Sequence, residues 1–372
     1  MDFTLDTEQL ALADAVKGLL SDGYDRRNKA RESDSGYDAE LWSGAADMGL
    51  LGLPFAEEHG GVGAGATEVM LVAERIGRTL APIPFVDVVV LAGGLVSAAG
   101  TDDQKSTLLE GISSGEHLVV LAHTEPRAPY GAKAYGVTAS GSGDDWTLSG
   151  VKEPVSFGGV ADTLLVTAVA DGATRVFVVA GDASGLTRTA YPTHDGRKAA
   201  RIELDGTPAV PLGDADESAV AAALDLARVA LAAEAVGAMA EALTMTTEYL
   251  KSRKQFGVPL KTFQALTFRA ADMYTELELA RSAMLYATMA ADAPGTDPLA
   301  ASRAALQVSG AARLIGQEAI QLHGGIAMTD EYAAGHYTSR LTAIEHTFGD
   351  RAWHLARLTE TIDDHDVLDL LR

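Results

Sequence analysis

The chain has 372 residues, 47% of them hydrophobic, and a formal net charge of −23. That length and apolar content suit two or three domains around a large interior and exclude a disordered chain. So acidic a chain excludes nucleic acid held by counter-ion release and repels anionic membranes, so any phosphate ligand must meet a local cluster of bases or backbone N–H groups.

Cysteine is absent, which removes disulfides, thiolate metal sites and cysteine nucleophiles. The opening Met1-Asp2-Phe3-Thr4-Leu5-Asp6 is acidic where a signal peptide is basic. The apolar run Val88–Val96 is under half of the ~20 residues a membrane helix needs. A cytoplasmic protein is expected, with no nucleic acid and no membrane as partner.

Residues 1–116 read as an N-terminal helical domain. Thr7-Glu8-Gln9-Leu10 opens a helix with Leu10, Leu12, Val16 and Leu19 as its apolar residues. Further helices are expected over Asp38–Met48, stopped by Gly49, over Glu68–Leu80 and over Thr101–Leu109. Residues 117–214 then change to short β-type runs between turn residues, among them Leu118–Leu121, Trp146–Leu148, Thr163–Val166 and Arg175–Val179. Residues 215–372 return to helical spacing. Ala221–Ser252 is one long helix. Phe263, Leu266, Ala270, Met273, Leu277, Ala280, Met284 and Ala287 alternate by three and four along the next, which puts them on one seam. Asp297–Leu322 and Arg351–Ile362 complete a four-helix bundle. The fold class is α+β: helices, a β-barrel or sandwich, then the bundle.

Three glycine-rich places invite a ligand. Gly61-Val62-Gly63-Ala64-Gly65-Ala66 fits a dinucleotide fingerprint only superficially, because no strand precedes it; a connecting loop is the better account. Lys251, Arg253 and Lys254 gather positive charge at a helix end, followed by Phe256-Gly257. They read either as a charged helix terminus or as a diphosphate clamp. Gln321-Leu322-His323-Gly324-Gly325 is a helix stop whose bare backbone also suits close approach to a ligand.

The order and spacing of several segments resemble the acyl-CoA dehydrogenase family over nearly the whole chain. These are Leu51-Gly52-Leu53-Pro54, Thr124-Glu125-Pro126, Trp146 to Lys152, Arg253-Lys254-Gln255-Phe256-Gly257 with Phe263-Gln264, and Gln321 to Gly325. Within the family the chain looks most similar to heteromeric members such as the pimeloyl-CoA dehydrogenase small subunit. The resemblance implies FAD as cofactor and an acyl-CoA as substrate. It implies electron-transfer flavoprotein as acceptor and a homo-oligomer or α2β2 hetero-tetramer as assembly. Arg253, Gln255, Phe256 and Gln264 would face the adenine and diphosphate half of one FAD. Gln321, Gly324 and Gly325 would approach the FAD of a neighbouring subunit. Thr124 would sit near the flavin ring, and Ser156 takes the place of the hydroxyl that reaches flavin N5.

The family's reaction needs a carboxylate to remove the α-proton of the thioester. Family members carry it at one of two positions, and here those hold Ala227 and Phe348. Glu345 and Asp350 flank the second position as candidates for a displaced base; the alternative for each is a solvated or capping carboxylate. Arg127-Ala128-Pro129-Tyr130-Gly131-Ala132 replaces a glycine-rich loop, and Pro154 replaces a tryptophan that packs on the flavin. Three accounts follow: a displaced base, a partner subunit whose companion supplies the base, or other flavin chemistry on the fold. A structural subunit without flavin is the reading outside enzymology. His323, His336, His346 and His354 have no metal-binding spacing and read as surface or capping residues. Arg313 and Arg340 read as phosphate contacts or surface ion pairs, and Asp225 as the partner of Arg228.

Overall fold

The computed structural model describes residues 4–128, 130–293 and 297–362. Pro129 of the replaced loop and residues 363–372 of the expected C-terminal domain lie outside them.

The first layer is helical: α1 (Thr7–Leu19), α2 (Gly23–Glu32), α3 (Ala39–Asp47), α4 (Ala66–Thr79), α5 (Gly94–Ala99) and α6 (Asp102–Ser113). Short polar side chains start several of them. Asp6 and Thr101 each form a capping box, with Gln9 and Gln104, and Asp38 accepts from the Leu41 N–H. Gly49 ends the α3 region at φ 72°, as the stop signal predicts. Two segments had no expectation: α2, which is nearly all polar, and a π-helical stretch Val86–Gly93 that leads into α5. The Gly61–Gly65 stretch is indeed a loop, and a Cβ at Gly61 would meet the Phe55 carbonyl oxygen at 2.1 Å.

Seven strands follow: β1 (Val119–Ala122), β2 (Thr138–Ser142), β3 (Asp145–Ser156), β4 (Thr163–Ala170), β5 (Ala173–Ala180), β6 (Leu186–Pro192) and β7 (Lys198–Asp216). The pairings β4–β2, β2–β3, β3–β7, β7–β5 and β5–β4 close into a ring, with β1 added parallel to β4 and β6 antiparallel to β7. Closure removes exposed edges.

The last layer is α7 (Glu217–Ser252), a two-strand hairpin of β8 (Lys254–Gln255) and β9 (Val258–Pro259), then α8 (Gln264–Asp292), α9 (Ala300–His323), α10 (Ala333–Glu345) and α11 (Arg351–Thr359). α7 is apolar around most of its circumference because α4, α8, α9 and α10 all pack on it. The seam on α8 buries Met273, Leu277, Ala280, Met284 and Ala287, while Phe263, Leu266 and Ala270 at its start are half-buried. α10 had no expectation. It packs on α7 and α9 as the fourth bundle member, and α11 lies on α9 beyond it. No described helix is long and apolar enough to cross a membrane.

Candidate functional site

The end of β3, the turn between β6 and β7, the π segment, α7 and α10 enclose a cavity of about 520 Å³. Pro154, Ser156, His194, Thr342 and His346 are exposed residues of its lining, while Asp195, Arg340 and Leu231 are buried. Thr124 lies on the wall, 9% exposed.

Thr124 is fixed from behind. Its neighbour Glu125 accepts from the Gly136 N–H at 2.6 Å and from Lys152 Nζ at 2.7 Å. Lys152, with no exposed side-chain surface, also donates to Thr167 Oγ1 at 2.8 Å and to the His123 carbonyl at 3.2 Å. Burial pulls the Lys152 amine down to about 8 against the attraction of Glu125. Burial raises the Glu125 carboxyl, but Lys152 more than reverses this and holds it below its ordinary value. A buried pair of this kind is strongly destabilising when halved. His123 is buried between these groups and the cavity. Desolvation, with Lys152 and Arg228 nearby, takes its ring down to about 3, so it stands neutral.

The floor is ionic. Arg340 donates to Glu234 Oε1 at 2.7 Å and to Asp195 Oδ2 at 2.8 Å, and Arg197 donates to Glu234 Oε1 at 2.8 Å. Burial raises the Asp195 carboxyl, but Arg340 and Arg197 outweigh it and hold Asp195 ionised far below the usual range. Asp87 differs: burial raises its carboxyl above the ordinary value despite the nearby Arg197 and Arg340. Arg340 is therefore a buried cation paired with Glu234 and Asp195, not the surface ion pair that was one of its two expected roles. His323, His336 and His354 are likewise buried, not surface residues. Sequence reasoning missed Asp87, Asp195, Arg197 and Glu234. The one local signal was an acid inside an apolar run, Phe85-Val86-Asp87-Val88.

The two positions without a base lie beside this cavity. Ala227 is fully buried on α7. Phe348 lines the cavity at φ 60°, with its ring 5.8 Å from that of His123. Its carbonyl accepts from Arg228 Nε at 2.8 Å. Arg228 in turn pairs with Asp225 at 2.7 Å, as expected, and Asp225 also accepts from both Nη atoms of Arg357. The Trp353 ring has Arg228 4.6 Å and Arg357 5.7 Å from its centroid. Glu345 lines a separate, smaller pocket with Arg313 and Gln317. Asp350 accepts from the Trp353 N–H at 2.8 Å and caps α11. Neither carboxylate lines the large cavity.

The remaining expected site residues sit elsewhere, on the surface. Arg253 ends α7, and Gln255, Phe256, Gln264, Gln321, Gly324 and Gly325 are exposed. Tyr249, one turn before Arg253, lies 4.7 Å from His323 between ring centroids. The contact gathers the basic segment and the Gln-x-x-Gly-Gly segment at one end of the bundle. Arg253 and Lys254 make no ion pair with the described residues. Phe256 tops the β8–β9 hairpin at φ 53°, 90% exposed, with Gly257 after it at φ 85°. A bulky residue held left-handed and uncovered is strained. Unpaired bases beside an aromatic ring and bare glycine backbone suit a nucleotide diphosphate and base. The hydroxyls of Thr124 and Ser156 in a largely apolar cavity suit a flavin ring. The chain thus presents two half-sites that share no lining residue.

The family model for the acyl-CoA dehydrogenase N-terminal domain matches residues 6–116, and that for the C-terminal domain residues 218–362. "Probable acyl-CoA dehydrogenase YngJ" of Bacillus subtilis is 32% identical over 348 residues, covering 89% of this chain and 92% of the relative. Acyl-CoA dehydrogenase FadE12 of Mycobacterium tuberculosis is 32% identical over 358 residues, covering 91% and 92%. Among solved structures, a variant of the Tcur3481-Tcur3483 steroid ACAD superposes with a TM-score of 0.90 at 34% identity, covering 97% of this chain and 99% of that one. The chain therefore belongs to the acyl-CoA dehydrogenase family, as an oxidoreductase of that kind.

Proposed function

We propose that this chain is an FAD-contacting subunit of an acyl-CoA dehydrogenase complex in which a companion chain supplies the α-proton acceptor. The observation that carries this reading is the Phe348 segment. The place of a base is taken by an aromatic side chain, and Arg228 ties the backbone there to Asp225 and Arg357. Swinging Glu345 or Asp350 inward would pull the Phe348 carbonyl off the buried Arg228 guanidinium, at a cost of about 1.5–3 kcal/mol.

In this reading Thr124 and Ser156 orient the flavin ring, while Arg253, Gln255, Phe256, Gln264, Gln321, Gly324 and Gly325 hold a nucleotide half. Bound FAD would supply the acceptor for the β-hydrogen, leaving as hydride. The apolar wall around Leu231 and Phe348 excludes water from the thioester. Electrons then pass to electron-transfer flavoprotein. The assembly is an oligomer, an α2β2 hetero-tetramer in the favoured form, in which the cavity of one chain and the nucleotide half of another complete one flavin site. Steroid thioesters stand among the candidate substrates beside fatty and dicarboxylic ones, since the solved relative at 34% identity is a steroid ACAD.

The test is co-purification from the native host. The expected result is a related chain carrying a carboxylate at one of the two base positions, in a yellow complex whose flavin bleaches with an acyl-CoA. The chain alone should turn over slowly or not at all. A lone chain with full activity that Glu345→Gln abolishes would replace this reading with the displaced base.

A further inference from the structure

The cavity is apolar at its waist and charged at its floor, and that floor carries more hydrogen-bonding capacity than the fold uses. Arg340 is fully committed to Glu234 and Asp195. Arg197 is not: its Nη2 goes to Glu234, its Nε stands 3.9 Å from Asp195, and its Nη1 has no partner among the described residues. Asp87 lines the same floor and makes no ion pair with the described residues. Glu234 and Asp195 balance Arg340 and Arg197, and Lys198 on the rim adds one positive charge.

An alkyl chain driven to that floor would strip water from Arg197 and Asp87 and return nothing. Burying such groups without partners is costly. A ligand whose end carries oxygen would instead take the free donor of Arg197 and bond with the Asp87 carboxyl.

We propose that the cavity accepts an acyl group whose far end carries an oxygen function, a hydroxyl or carboxylate, read by Asp87 and Arg197. This rests on the proposed reading of the cavity as the place where the acyl thioester meets the flavin ring held by Thr124 and Ser156. Leu231 and Phe348 provide apolar wall, and the two polar residues set the specificity.

The experiment titrates the flavin-loaded protein, with whatever companion co-purifies, using three thioesters of equal chain length. These are hexanoyl-CoA, 6-hydroxyhexanoyl-CoA and adipoyl-CoA, followed by calorimetry and by the flavin spectrum. At least one oxygen-ended thioester is expected to bind roughly tenfold or more tighter than hexanoyl-CoA, the size expected of a buried polar pair. Which of the two wins identifies the oxygen function. Asp87→Leu should remove most of the difference, while Asp87→Asn should keep it for the hydroxyl ligand. Arg197→Gln repeats the test should the leucine variant not fold. Equal or tighter binding of hexanoyl-CoA by the unaltered protein overturns the proposal and leaves the acyl-site reading intact. Binding of none of the three sinks both.

Discussion

Burial keeps the His123 ring neutral, and stability should show it. The ring sits against Thr124, Phe348, Lys152 and Arg228, and its Nδ1 has no partner among the described residues. Desolvation and the two cations take it to about 3 in the folded chain, against an ordinary 6.5. Below 6.5 the unfolded chain therefore binds a proton that the folded chain does not, so acidification favours unfolding until about 3. Between pH 7 and pH 5 this one group should remove about 2 kcal/mol of stability. His354, buried to about 4 beside Arg228 and Arg357, acts in the same direction. Urea unfolding of His123→Leu at the two pH values should show a loss smaller by about that amount, and an unchanged loss would refute the neutral ring. Among the proposed site residues, Arg253, Phe256, Gln321 and the two glycines could be singled out from the sequence because they fall in short motifs. Asp87, Asp195, Arg197, Glu234 and Arg340 were not legible. Each has an ordinary sequence neighbourhood, and the floor exists only because the π segment, the β6–β7 turn, α7 and α10 converge.

Two glycines set how α4 and α7 cross. A Cβ on Gly77 would meet the Glu234 carbonyl oxygen at 1.8 Å, and one on Gly237 would meet the Glu74 carbonyl oxygen at 1.9 Å. The two helices touch backbone to backbone at a reciprocal pair of positions, and neither contact is a side-chain end that could rotate away. Gly77→Ala or Gly237→Ala should therefore destabilise by about 1–3 kcal/mol or more, read as a lower unfolding midpoint. Because α7 also carries Leu231 and Glu234, the flavin environment should shift with them. Gly18→Ala is the control. Its Cβ meets nothing within 4 Å on α1, and helix propensity alone predicts a gain of about 0.5–1 kcal/mol. An equal loss at Gly18, where no neighbour is met, would refute the crossing as the cause. The same contrast explains which elements were legible. The α8 seam repeats at helical spacing and buries as that spacing requires. β7 carries Gly206, Pro208, Pro211 and Gly213 inside 19 residues, so its sequence reads as turns. The bends exist because the strand must pair with β3, β5 and β6 in turn. α2 and α10 lacked an apolar stripe clear enough to announce a helix.

At the scale of the whole molecule, charge and geometry make one argument. A chain of net charge −23 repels polyanions at long range, yet it leaves Arg253 and Lys254 unpaired on its surface beside an uncovered Phe256. None of these residues lines the cavity that holds Thr124 and Ser156. In the proposed oligomer one nucleotide uses the cavity of one chain and the Arg253 segment of another. Flavin retention must then be linked to assembly, since a ligand that bridges two subunits stabilises their contact and is released when they part. Dilution of the yellow complex should release FAD at the same protein concentration at which mass photometry shows subunits separating. Added FAD should push both transitions to lower concentration together. Arg253→Ala should lower the bound flavin several-fold while leaving the unfolding midpoint of the flavin-free chain within about 0.5 kcal/mol, because an exposed side chain without an ion pair contributes little to the fold. Flavin that stays with a separated single chain would refute the bridge, whatever the activity of the complex. Flavin that leaves Arg253→Ala only as fast as it leaves the unaltered protein would remove Arg253 from the clamp.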